Sequence, residues 1–245
     1  GKVRIYDDAA GGLIGLYGAK IRIRGIDLST HDTYSDENGS FAITEQYRYY
    51  ADYFVRWESD FHSVREWPLI QSEHEGPQNL RGPAEIDILS GKQKYFGHIN
   101  RAAYDYYYHF DLFGLTQPPQ PYNQRCIIAA NNGTISGGGM CHPYGPLFSL
   151  IFGHIELNIP NKTTQYIYYS TIHELAHLAH WGFDQNYLNM NLCYLTPING
   201  ICEPRVIESW ARGVEWIFMK WRYPNIPTVQ SYQNMPRNGD DFYTS

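Results

Sequence analysis

Two histidines and a glutamate form the run His173-Glu-Leu-Ala-His177, in which Glu174 directly follows the first histidine. Side chains four residues apart lie on the same face of a helix, one turn above each other. Two imidazoles placed in this way can bind one zinc ion, each through a nitrogen at about 2.0–2.1 Å. Zinc lowers the pKa of a bound water toward about 7, and the adjacent glutamate can take that water's proton. The run therefore predicts the apparatus of a zinc-dependent hydrolase.

The segment around this run has the features of a helix. No Gly or Pro interrupts residues 163–181, Asn161, Thr163 or Thr164 can cap the start, and Gly182 can end it. The alternative is a surface helix whose histidines are four residues apart by chance. The uninterrupted helical segment favours the zinc site over that alternative.

A catalytic zinc ion needs a third protein ligand and one open position. One known arrangement places a third histidine six residues after the second, but residue 183 is Phe. His180 shares the helix face, yet it lies about 10 Å along the axis from His173, too far to complete the same tetrahedron easily. We therefore expect His180 to pack near the site rather than to bind the metal.

A better donor lies in a second predicted helix, which Pro204 can begin. Its apolar residues recur at helical spacing: Ile207, Trp210, Val214, Phe218 and Trp221. Glu208 and Glu215 are seven residues apart and share a face beside this stripe. A carboxylate next to a buried seam needs a partner, because an unpaired buried charge is costly. That partner is either zinc or, for Glu208, an arginine such as Arg205 or Arg212.

The two segments together resemble the gluzincin metallopeptidases, several families of which carry a Glu-x-Trp-Ala-x-x-x-Glu helix after the zinc-binding helix. Residues 208–215 read Glu-Ser-Trp-Ala-Arg-Gly-Val-Glu. The resemblance implies that His173, His177 and Glu208 bind zinc and that Glu174 is the general base. It also implies that Glu215 holds a zinc-binding histidine through the other ring nitrogen.

These enzymes usually place a His or a Tyr after the third ligand, where it stabilises the oxyanion. No histidine follows His180 in this chain. A tyrosine such as Tyr232, or an arginine, would then take that role.

The 245 residues allow one large domain or two small ones. Alternating apolar and polar residues predict strands over residues 3–6, 19–24, 40–44, 53–57 and 85–89. Their order and turns resemble the carboxypeptidase-regulatory or transthyretin-like β-sandwich. From residue 91 the period becomes that of an amphipathic helix, and further strands are predicted over residues 125–130 and 153–160. We therefore predict a multidomain α+β protein, with a β-sandwich of residues 1–90 and a mostly helical, zincin-like catalytic domain of residues 91–245.

Four cysteines stand at positions 126, 141, 193 and 202, without the Cys-x-x-Cys spacing of a zinc site. Their even number and the loops between them predict the disulfides Cys126–Cys141 and Cys193–Cys202 and hence an oxidising compartment. Four reduced thiols are the alternative. We therefore expect the protein to be periplasmic, at the cell surface or secreted, although the sequence does not open on a signal peptide.

The composition restricts the partners. A net charge of −6 without Lys/Arg clusters argues against nucleic acid and anionic membranes. No run approaches the ~20 apolar residues that span a bilayer. The expected function is hydrolysis of a peptide or protein substrate with zinc as the cofactor. A catalytically silent adhesion or glycan-binding protein is the alternative, but metal binding alone would not need Glu174. A zinc hydrolase of non-peptide amides is a third possibility.

Overall fold

The computed structural model describes residues 1–44, 50–66, 70–120, 124–131, 139–141, 153–184 and 204–225. In these ranges the strands are β1 (Lys2–Asp7), β2 (Gly12–Gly15), β3 (Lys20–Gly25), β4 (Thr30–Tyr34), β5 (Ala51–Arg56), β6 (His62–Glu66), β7 (Ile70–Gln71), β8 (Glu73–Glu75), β9 (Glu85–Ile88), β10 (Cys126–Asn131), β11 (Gly139–Cys141) and β12 (Ile155–Asn158). The helices are α1 (Gly91–His109), α2 (Thr164–Asp184) and α3 (Pro204–Arg222), and a 3-10 turn, Phe110–Phe113, comes directly after α1.

Most elements predicted from periodicity are confirmed. The predicted strands over residues 3–6, 19–24, 53–57, 85–89, 125–130 and 153–160 correspond to β1, β3, β5, β9, β10 and β12, and all three helices form. Residues 40–44 are not a strand, since Ser40 makes only an isolated bridge to Lys2. Gly182 does not end α2, which continues to Asp184.

The predicted fold class is wrong, because strands from both halves of the chain share one sheet. A five-stranded sheet has the order β11-β12-β10-β6-β7, and β6 pairs in parallel with β10, with His62 opposite Cys126. Every residue of β10 is buried, as expected of a strand in a parallel sheet whose two faces are both covered. The first ninety residues are therefore not a separate sandwich, and the described residues after position 90 do not form a mostly helical domain.

Two smaller sheets complete the N-terminal half. One has the order β2-β1-β9 with β1 parallel to β9, and the other is antiparallel with the order β4-β3-β5-β8. Inward residues of both, such as Ile5 and Ile21, belong to the same buried core as the helices. Helix α1 lies very close to β1 at Gly97. A Cβ atom added to this glycine would lie only 2.3 Å from Cδ1 of Ile5.

The sheet register excludes one of the predicted disulfides. Ile128 and Cys141 lie opposite Ile155 on its two sides, so about two strand spacings of ~4.8 Å each separate them. Cys126 stands two residues further along β10. Its Cα atom therefore lies beyond the ~7 Å that a disulfide with Cys141 allows. Cys126 is a free, buried cysteine, and burial raises the pKa of its thiol to about 12.

Asp8, the residue directly after β1, forms hydrogen bonds with the start of α2. The backbone N–H of Thr164 donates to the Asp8 carboxylate at 2.8 Å, and the N–H of Asp8 donates to Oγ1 of Thr164 at 2.8 Å. Within the helix, Oγ1 of Thr163 accepts the N–H of Tyr166 at 3.1 Å, so Thr163 is the N-cap. Lys94 of α1 also pairs with Asp8 at 3.1 Å.

A buried carboxylate joins the three helices. Asp105 of α1 is fully buried and accepts hydrogen bonds from the hydroxyl of Tyr168 on α2 at 2.7 Å and from Nε of Arg222 on α3 at 2.9 Å. Nη2 of Arg222 donates to the second oxygen of Asp105.

None of the described helices is long and apolar enough to span a membrane.

We predict that Asp8→Ala lowers the free energy of unfolding by about 0.5–2 kcal/mol, because it removes an acceptor at the start of α2. Asp8→Asn keeps an acceptor oxygen and loses only the pairing with Lys94, so it should cost less. Urea unfolding at unchanged slope is the measurement. Equal losses for the two variants would contradict a capping role for Asp8.

Candidate metal centre

Helix α2 brings the two predicted histidine ligands together. Nε2 of His173 and Nε2 of His177 lie 3.1 Å apart, as their i, i+4 spacing predicts. The helix is buried on nearly every side, and only 12% and 8% of these two side chains are exposed. Both rings are therefore held by packing, with little freedom to turn toward other partners.

Helix α3 adds Glu208 to this pair. Its Oε2 atom lies 3.2 Å from Nε2 of His173, and its Oε1 atom lies 3.5 Å from Nε2 of His177. Among the described residues these three form a group that could hold a metal ion, with their ligand atoms all within 4.8 Å of one another. A tetrahedral zinc ion with ligands at about 2.0–2.1 Å holds them roughly 3.3–3.4 Å apart. The two Nε2 atoms are 3.1 Å apart, and they lie 3.2 and 3.5 Å from different oxygens of Glu208, so the three side chains converge at about the spacing that such an ion needs.

Glu215 lies on the other side of the His173 ring. Its Oε2 atom accepts a hydrogen bond from Nδ1 of His173 at 3.2 Å, and its side chain is 0% exposed. A hydrogen on Nδ1 leaves the lone pair of Nε2 directed at His177 and Glu208. A carboxylate behind a zinc-binding histidine has this arrangement in metalloenzymes. The two glutamates thus lie on different sides of the His173 ring, Glu208 at Nε2 and Glu215 at Nδ1.

The charges around His173 favour a cation. Burial lowers the pKa of His173, but its hydrogen bonds to Glu208 and Glu215 and the nearby charge of Glu174 outweigh burial and raise the pKa to about 9. Without a metal, the imidazole is therefore protonated at neutral pH. A zinc ion must displace this proton to bind Nε2.

The remaining predicted site residues have mixed outcomes. Glu174 is buried on α2, directly beside His173. The ring of His180 lies 6.2 Å from that of Trp210, and among the described residues the candidate metal-binding group consists of His173, His177 and Glu208. Tyr232 and the predicted Cys193–Cys202 disulfide lie outside the described residues.

The predicted apolar stripe of α3 is partly wrong. Trp210 and Trp221 are 43% and 36% exposed, whereas Ala211 and Glu215 are buried. The buried face is centred further toward the glutamates than the apolar pattern indicates, because α2 offers polar partners there. His62 of β6 is fully buried, and burial lowers its pKa to about 4.

Sequence reasoning missed the partner of Arg212. The sequence offered it as an alternative partner of Glu208, but Nη1 of Arg212 contacts Glu215 at 3.0 Å. The i, i+3 spacing of Arg212 and Glu215 was a signal for this pair. From the sequence alone, the Arg212–Glu215 pair could not be distinguished from an equally plausible pair of Arg212 with Glu208.

No protein-family model matches the chain, and no curated protein matches it significantly. The gluzincin resemblance therefore rests on the two helices that carry the cluster. It stays a prediction.

We predict that Glu208→Ala lowers zinc affinity more than Glu215→Ala does. The first change removes one of three ligands, whereas the second removes the partner of His173 Nδ1, which should cost about 10–100-fold. Competition with a chelator measures both. If Glu215→Ala releases the metal while Glu208→Ala keeps it, the two roles are exchanged.

We also predict that zinc uptake releases protons. Since the raised pKa of His173 is about 9, zinc affinity should rise from pH 7 to pH 9 and level off above that value. If zinc displaces one proton, zinc affinity changes by about tenfold per pH unit below the pKa of His173. Calorimetric titration at pH 7 in buffers of different ionisation enthalpy measures the release. Zinc uptake with the same observed heat in all buffers would contradict the prediction.

Proposed function

We propose that this protein is a zinc-dependent hydrolase of peptide bonds. The observation that carries the proposal is the convergence of His173 Nε2, His177 Nε2 and the Glu208 carboxylate, whose ligand atoms all lie within 4.8 Å of one another. Two imidazoles and one carboxylate are a ligand set that zinc enzymes use when one position stays open for catalysis. Glu174 beside His173 is the feature that pure metal storage would not require.

Each of the three glutamates has a separate task in this proposal. Glu174 accepts a proton from the attacking water and passes it to the leaving amine nitrogen. Glu215 keeps the Nδ1–H of His173 paired, so that Nε2 stays directed at the metal position. The side chain of Glu208 is 41% exposed, which leaves one side of the cluster open to solvent and substrate. When bound, zinc polarises a carbonyl oxygen and lowers the pKa of water.

An extended peptide is the proposed substrate. Strand β11 is at one end of the five-stranded sheet, and among the described strands it pairs only with β12. Helix α2, which carries the histidines, packs against β11. An extended segment can add to such an edge through backbone hydrogen bonds. Pairing of this kind would carry a scissile bond toward the cluster.

Export stays a proposal with reduced support. The free thiol of Cys126 removes one of the two disulfides on which it depended. The remaining predicted disulfide is Cys193–Cys202, which non-reducing peptide mapping can test.

We predict that Glu174→Gln keeps zinc bound but lowers the rate of hydrolysis by about 10²–10⁴-fold, because the amide cannot accept the proton. A diverse peptide library, with products identified by mass spectrometry, first supplies a cleaved substrate. Glu75→Gln makes the same change at an exposed position of β8 and should cleave like the wild type.

Two outcomes would contradict the proposed function. Glu174→Gln protein that cleaves at the wild-type rate would show that Glu174 is not the base. Zinc-loaded wild-type protein that cleaves no peptide in the library would favour the silent scaffold.

A further inference from the structure

Arg212 of α3 contacts the buried carboxylate that lies behind His173. Its Nη1 atom donates to Oε2 of Glu215 at 3.0 Å and lies 3.4 Å from Oε1. The same Oε2 atom accepts the hydrogen bond from Nδ1 of His173 at 3.2 Å. Because Arg212 and Glu215 are three residues apart, their side chains lie on adjacent turns of one helix face. Arg212, Glu215 and His173 therefore form a continuous polar chain that ends at the metal position.

Burial makes this chain necessary for Glu215. Its side chain is 0% exposed, whereas 38% of the Arg212 side chain reaches solvent. A buried carboxylate that lacks a partner is costly, and a permanent cation relieves that cost. His173 cannot serve as this cation once Nε2 binds a metal, because its ring must then be neutral. Arg212 keeps its charge in both states, since a guanidinium stays protonated.

We propose that Arg212 is a positioning residue of the metal centre. Its guanidinium holds the Glu215 carboxylate in the one orientation in which Oε2 meets Nδ1 of His173. That hydrogen bond in turn keeps Nε2 of His173 facing His177 and Glu208. The inference rests on the zinc binding that is part of the proposed function, and it does not depend on hydrolysis.

The loss of Arg212 has a defined consequence. The Glu215 carboxylate would keep His173 as a partner but lose the donor that fixes its rotation. The carboxylate could then turn, and the hydrogen bond to Nδ1 would lengthen or bend. Since hydrogen bonds weaken steeply with poor alignment, the His173 ring would gain freedom to tilt away from the metal position.

Arg212→Met and Arg212→Lys test this inference in the full chain. Arg212→Met should weaken zinc binding by about 10-fold in competition with a chelator, at the lower end of the range for groups that support metal ligands. Arg212→Lys keeps a cation and should recover most of this loss. Lys220→Met removes a cation from the same helix, where Nζ lies 5.8 Å from the centre of the Trp216 ring, and should bind zinc like the wild type.

A second readout reports on the hydrogen bond itself. In zinc-loaded protein with ¹⁵N-labelled histidine, the Nδ1–H proton of His173 should exchange slowly with solvent. Arg212→Met should speed this exchange, whereas Lys220→Met should not. A surface ion pair without a positioning role would leave the exchange unchanged. If Arg212→Met does not fold, Arg212→Gln, which keeps an N–H donor without the charge, replaces it and should show a smaller loss of the same kind.

The possible failures are distinguishable. Arg212→Met protein with wild-type zinc affinity and unchanged Nδ1–H exchange would overturn the role of Arg212, while the zinc centre would stand. Wild-type protein that takes up no zinc would overturn the metal centre and this inference together. Zinc-loaded wild-type protein that cleaves no peptide would contradict the hydrolase alone.

Discussion

The geometry of the candidate metal centre depends on the hydrogen bonds that the buried Asp105 carboxylate makes to two other helices. This carboxylate joins α1 to Tyr168 of α2 and to Arg222 at the end of α3, and both Asp105 and Tyr168 are fully buried. Among the described residues, α3 carries the two carboxylates that hydrogen-bond to the His173 ring. A shift of one residue along its axis would move Glu208 by about 1.5 Å and turn it by about 100°. Breaking such a buried pair costs about 3–5 kcal/mol, which is why the helices have one register.

The N-terminal strand is the second support of the same centre. Asp7 is fully buried and accepts hydrogen bonds from Arg101 of α1 at 3.2 Å and from the Tyr223 hydroxyl, just after α3, at 2.8 Å. The next residue, Asp8, exchanges two hydrogen bonds with Thr164 at the start of α2. One short segment therefore contacts all three helices or their ends. This integration explains why a sandwich of residues 1–90 cannot be separated from the rest of the fold.

The charges around His173 connect this helix packing to the proposed zinc site. Glu208 and Glu215 hydrogen-bond to His173, Glu174 lies beside it, and Arg212 pairs with the buried Glu215. The two hydrogen bonds and the charge of Glu174 raise the pKa of His173 despite burial, and a divalent cation could take the place of the proton. The same packing that brings the carboxylates to one ring thus creates a site with a demand for positive charge.

The sequence by itself determined the chemistry within single helices: the histidine pair, the adjacent Glu174 and the shared face of Glu208 and Glu215. These features depend on a fixed helical period and need no long-range information. Only the tertiary structure decided that Glu208 meets Nε2 of His173 while Glu215 meets Nδ1, and that Arg212 pairs with Glu215. It also decided that β6 joins β10 across the predicted domain boundary. In the same sheet β12 lies between β10 and β11, which places Cys126 out of reach of Cys141. The physical reason is that strand partners and interhelical contacts are chosen by burial of surfaces far apart in the chain, and local periodicity carries no record of that choice.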